Sequence, residues 1–163
     1  MDIYTFLIIS HIIGTVLGVG SATFAEVFYV RAVSEGVFSP EEGSTLRVVY
    51  FVLRIGLVLV VLSGFGFLLL YRLGGQEERL FDPKLWAKMT IVFILVANVV
   101  LMQMRKIPMW LGSSLSLTSW YIALILGSWR NMPYSYITLI VAYVVAVIIV
   151  AFILDYIKKQ VST

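Results

Sequence analysis

The chain of 163 residues contains no cysteine. Disulfides, thiolate metal sites and cysteine nucleophiles are therefore excluded. Histidine occurs once, at His11. Charge is scarce as well: 13% of residues are Asp, Glu, Lys or Arg, against roughly a quarter in soluble domains. The formal net charge of +3 is small and scattered, which gives no basis for nucleic-acid binding. In exchange, 61% of residues are hydrophobic and the mean hydropathy is +1.00. A chain of this size cannot hide so much apolar surface in its own core, so the class is a single-domain integral membrane protein. Asp2 stands where a signal peptide carries a basic cluster, and the apolar run behind it is too long for a signal core.

A membrane-spanning helix needs about 20 mostly apolar residues. Five segments meet or approach this, at about residues 3–30, 47–70, 85–104, 110–129 and 134–157. The runs are long and lack period-two alternation, so an all-α bundle of five transmembrane helices is predicted. Pro40, Pro83, Pro108 and Pro133 each fall just before one of the last four segments, where a missing N–H costs nothing. Ser39-Pro40-Glu41-Glu42 reads as a capping box and Asp82-Pro83 as a second cap. The second helix should therefore begin outside the bilayer. Tyr4, Tyr71, Trp86, Trp110, Trp129, Tyr134 and Tyr156 lie near predicted helix ends, as an aromatic belt requires.

Five spans put the termini on opposite sides of a plasma (inner) membrane. Arg72, Arg79, Lys84 and Arg130 share the N-terminal side; Arg31, Arg47, Arg105, Lys106, Lys158 and Lys159 share the other. The basic excess predicts an N-terminus outside and a cytoplasmic C-terminus.

Ionisable groups inside spans cost at least ~2.5–3.5 kcal/mol at mid-bilayer and so face the protein interior. Four qualify: His11, Glu26, Arg54 and Lys88. Counting residues from the helix ends places Glu26 and Arg54 at one depth, and His11 and Lys88 together in the opposite half. Glu26 with Arg54 reads as an ion pair pinning the first two helices, or as an anion-, proton- or metal-handling site. Lys88 either snorkels or binds an anionic group such as a carboxylate or propionate.

His11 shares its helix face with Gly14, Thr15 and Gly18. Gly14-x-x-x-Gly18 permits close helix packing. It equally leaves a flat surface beside an imidazole, a common axial ligand of haem iron, with Ser63-Gly64-Phe65-Gly66 as a second wall. One histidine supplies one axial ligand, so haem would need five-coordinate iron, a different second ligand or a homo-oligomer. Weaker signals are Met102, Met104 and Met109 around a helix end, read as packing. "SEGVFSPEE" has EF-hand spacing but opens on Arg31, which speaks against calcium. The hydroxyl-rich "SSLSLTSWY" should bond back to helix carbonyls or to neighbouring helices, placing the fourth helix in the interior.

"HIIGTVLGVG", "LRIGLVLVVLSGFG" and "KLWAKMTIVFILVANVVL" resemble the HemJ-type protoporphyrinogen oxidase and CopD-like group of small membrane proteins. In that group small residues follow a first-helix histidine and a lysine opens the third helix. The resemblance covers about residues 5–104 of this helical chain. It implies haem b with His11 as iron ligand, Lys88 as a catalytic partner, and porphyrinogen oxidation. "GVGSATFAE" and "SLTSWY" are similar to stretches of bacterial membrane proteins that carry no assigned activity. The expectation is haem-linked redox work in the membrane, with Gly14, Gly18 and Gly64 making room for the macrocycle and a membrane redox partner accepting electrons. The alternatives are a non-catalytic scaffold or subunit, and an ion or metal transporter using Glu26 and Arg54.

Overall fold

A computed structural model describes residues 2–35, 40–129 and 132–161. It is all-α: α1 (Ile3–Glu35), α2 (Pro40–Leu73), α3 (Pro83–Gln103), α4 (Met109–Ser128) and α5 (Tyr136–Val161), with a 3-10 turn at Glu77–Phe81 between α2 and α3. All five α-helices are long and apolar enough to cross a membrane. Ser39, Gly36 and Arg130, used in the sequence arguments, lie outside the described residues.

The first two helices exceed their expected spans. With 33 and 34 residues, each is about 50 Å long at ~1.5 Å per residue, against a hydrocarbon core of about 30 Å. Hydropathy ends a span at Arg31 and Arg47. Backbone hydrogen bonding does not, and both helices continue past those residues at the end where α1 finishes. That end is termed distal; the end where α1 begins is proximal.

The caps follow from local chemistry. Asp2 Oδ1 accepts from the Thr5 N–H at 3.0 Å. Asp82 Oδ1 accepts from the Lys84 N–H at 2.9 Å, with Pro83 as the first residue of α3. Pro108 stands at the N-cap of α4, one position earlier than a first-turn proline. Two chain reversals use the left-handed region: Gly75 at φ 68° after α2, and Arg105 at φ 55° after α3. At Arg105 the Lys106 N–H reaches back to the Leu101 carbonyl at 2.9 Å, closing the helix as a Schellman turn does, usually with glycine.

Packing divides into two cores. In one, Ala22 of α1, Leu53, Leu57 and Val60 of α2 and Leu95 of α3 surround Trp120 of α4. In the other, Ala87 and Ile91 of α3, Leu126 of α4 and Leu139 and Tyr143 of α5 pack together. Helix α4 touches α1, α3 and α5, and three of its buried hydroxyls bond back to its own carbonyls. Ser114, Thr118 and Ser119 donate to the carbonyls of Trp110, Ser114 and Leu115. Ser119 then accepts from the Tyr143 hydroxyl of α5 at 2.8 Å. Asn98 of α3 donates to the Gly112 carbonyl of α4 at 2.9 Å. Large apolar side chains such as Phe6, Val16, Phe93, Ile137 and Phe152 face outward, the surface a bilayer solvates.

Candidate functional site

The glycine face beside His11 is filled by protein. A Cβ built on Gly14 would lie 2.8 Å from Leu59 Cβ and 2.9 Å from the Gly56 carbonyl oxygen of α2. One on Gly18 would lie 2.2–2.4 Å from the Trp120 ring. A Cβ on Gly56 would in turn meet the backbone of Gly14 and Gly18 at 2.8 Å. These three glycines thus let α1 and α2 approach backbone to backbone and let an indole lie flat on α1. Gly64 has open space around a Cβ position. The expected macrocycle space is therefore corrected at Gly14 and Gly18, which protein fills. The flat object against Gly18 is Trp120, and the residues do not fit a haem on that face.

His11 itself is tied to α2. Its Nδ1 lies 2.8 Å from Ser63 Oγ, and Ser63 Oγ donates its one proton to the Leu59 carbonyl at 2.5 Å. Ser63 must then accept, so the proton between them sits on His11 Nδ1. Phe67 meets the imidazole edge-on at 5.8 Å and stacks on Tyr71 at 6.4 Å. Tyr71 borders a proximal cleft of about 260 Å³, and Lys88 stands in its wall with Arg79, Asp82, Lys84 and Leu85. His11 and Lys88 thus sit at the same end of the bundle, joined through this aromatic chain.

The distal end holds a second cleft, of about 240 Å³, bounded by α1, α2, α3 and the start of α4. Ala22, Ala25, Leu53, Val99, Met102 and Met109 make it mainly apolar; Glu26, Tyr29, Tyr50, Arg54, Gln103 and Ser113 contribute the polar groups. Glu26 and Arg54 do share this cleft, but they are not the ion pair. Glu26 is 6% exposed, and its Oε1 lies 2.6 Å from Lys158 Nζ of α5. That contact lacks hydrogen-bond angles, since Oε1 has no hydrogen-bond partner among the described residues. The same ammonium lies 4.4 Å from the centre of the Tyr29 ring. Depth counting matched Glu26 to Arg54 because α1 and α2 are neighbours. It overlooked that α5 crosses the bundle and returns its C-terminal lysines to the level of Glu26. The clue was available: Glu26 and Lys158 are predicted on the same side of the membrane.

With Glu26 matched by Lys158, Arg54 lines the cleft as an exposed residue, not the interior one its place in a span predicted, and has no carboxylate of the described residues in ion-pair contact. Among the described residues no cluster of three His, Asp or Glu side chains can hold a metal ion. No protein family, no curated protein and no solved structure matches the chain.

Proposed function

We propose that the protein binds a small amphipathic anion in the distal cleft and passes it into or across the bilayer. The observation that carries this reading is the charge balance. The one carboxylate in the cleft wall is already neutralised by Lys158, which leaves Arg54 as a cation beside an apolar chamber. An anionic group would satisfy the guanidinium through paired N–H donors, while an apolar tail lay along Leu53, Val99 and Met102. Sites of this kind are mostly apolar with a few placed polar groups, and an ionisable group at membrane depth is a functional candidate. On this reading the distal end faces the cytoplasm, supported by six basic residues there against four on the other side.

The test is a thermal-shift and calorimetric titration of the full chain in nanodiscs. Octanoate and benzoate are the probes; octylamine and benzyl alcohol are the cationic and neutral controls. The anions should bind and the controls should not, and Arg54→Gln should remove the response without unfolding the protein, because Arg54 makes no ion pair. Equal responses to octylamine, or an unchanged response in Arg54→Gln, would overturn the proposal. For a carrier, octanoate uptake into proteoliposomes should be lost with the same substitution.

A further inference from the structure

We infer that the proximal cleft is a second, separate site, which binds the phosphate headgroup of an anionic lipid. This inference does not rest on the distal cleft. It starts from the charge of the walls. Arg79, Lys84 and Lys88 line a space of about 260 Å³, with Asp82 as the only acid. Asp82 is already committed, since its carboxylate caps α3 by accepting from the Lys84 N–H. Of the neighbouring acids on the 3-10 turn, Glu77 is paired with Arg72 at 2.9 Å, and Glu78 is not in the wall. Three cations thus face one carboxylate, and the cleft carries a net positive charge.

The cations are held in place rather than left to wander. Arg79 lies over the Tyr71 ring at 5.3 Å, and Tyr71 is itself stacked on Phe67. Lys84 donates one proton to the Trp129 carbonyl at the end of α4, leaving two for a ligand. Lys88 stands one helical turn deeper, half-buried, with no hydrogen bond or ion pair of its own among the described residues. A lysine there costs free energy unless it snorkels or is matched, and a phosphate at the mouth would match it. The N-terminal dipole of α3 adds to the same field. The first N–H groups of that helix are already bonded to Asp82, so the donors to a phosphate are the three side chains.

The surroundings favour a lipid over a soluble phosphate. Leu73, Phe81 and Trp86 are all exposed near the cleft, and Trp86 is fixed by donation from its Nε1 to the Leu80 carbonyl at 2.8 Å. Apolar and indole surface around a basic notch suits the boundary between headgroups and acyl chains.

The experiment is native mass spectrometry of the full chain in an uncharged detergent, titrated with dioleoylphosphatidylglycerol, with dioleoylphosphatidylcholine or with inorganic phosphate. Phosphatidylglycerol should be retained well above phosphatidylcholine. Arg79→Gln and Lys88→Gln should each weaken it about fivefold, the worth of one basic residue near an anionic headgroup. Lys106→Gln, exposed at the distal end, should leave retention unchanged. Arg79 is exposed, so its variant reports on binding even if Lys88→Gln folds poorly. Inorganic phosphate bound with the same two losses and no preference between the lipids would overturn the lipid source. Equal retention of both lipids without phosphate binding would overturn the site, as would an equal loss in Lys106→Gln.

Discussion

A single methyl group on Gly18 should decide what the glycine face of α1 is for. The perturbation is Gly18→Ala, and the neighbour it meets is an indole that cannot move aside. Trp120 is 1% exposed and enclosed by α1, α2, α3 and α4. The new Cβ would lie 2.2–2.4 Å from three ring atoms, where carbon pairs prefer about 3.5–4.0 Å. Relief requires α1 and α4 to separate or the ring to leave its position, and overpacking of this kind costs about 1–3 kcal/mol. Three overlaps on a rigid ring place Gly18→Ala at the top of that range. Alanine recovers up to ~1 kcal/mol of helix propensity, so the net loss should be about 2 kcal/mol. The control is two residues away. Gly20→Ala meets nothing within 4 Å, and it should stabilise by up to ~1 kcal/mol. Denaturant or thermal unfolding in detergent micelles measures both variants. Gly18→Ala combined with Trp120→Phe should be less destabilised than the sum of the single changes, because the smaller ring yields the contested space. If Gly18→Ala and Gly20→Ala agree within about 0.5 kcal/mol, the ordinary range for surface substitutions, the packing argument is wrong.

Glu26→Gln should destabilise by about 3–5 kcal/mol, because it leaves Lys158 buried without its counter-charge, and Glu26→Lys with Lys158→Glu should restore part of that in the same unfolding assay. Arg54→Gln should change stability by less than ~0.5 kcal/mol, so a loss comparable to Glu26→Gln would make Arg54 the true partner. Asn98→Leu removes the α3–α4 hydrogen bond to the Gly112 carbonyl and should cost about 0.6–1.7 kcal/mol, the span seen for such bonds between membrane helices. Protein purified from haem-replete cells should show no Soret band, and a band that disappears in His11→Ala would overturn the packing account of the glycine face.

The helical architecture was readable because hydropathy and proline placement act locally. Runs of apolar residues mark the spans, and Asp82-Pro83 caps α3 through its own next residues. The lengths of α1 and α2 were not readable by the same rule. Hydropathy reports where lipid ends, and a helix continues past that point as long as its backbone bonds do. His11 beside Ser63 was half legible, since both were placed in one half of the membrane. The occupant of the glycine face was not, because Trp120 lies more than a hundred residues downstream on a helix whose rotation the sequence does not specify. A small-x-x-x-small pattern states that something flat or close approaches. It does not state whether that object is a helix backbone, an indole or a cofactor.

The two clefts divide the titratable groups by what already neutralises them. In the distal cleft one carboxylate and one ammonium match each other, and a guanidinium is left beside apolar walls. In the proximal cleft the only wall carboxylate serves a helix cap, and three cations stand against it. Between the two levels lies the Trp120 core, where α1, α2, α3 and α4 contribute apolar side chains. An anion moving from one end to the other would have to displace that indole or travel along the outside of the bundle. On the proposed function, Trp120, which packs α4 against Gly18 of α1, would then be the barrier to passage. Trp120→Ala should therefore separate the two roles. Stability should fall by about 3–5 kcal/mol, the usual loss for a buried tryptophan. If octanoate crosses through the bundle, passive leak of octanoate in proteoliposomes should rise above wild type in the fraction that remains folded. A destabilised variant with no added leak would place the path along the lipid-facing surface instead.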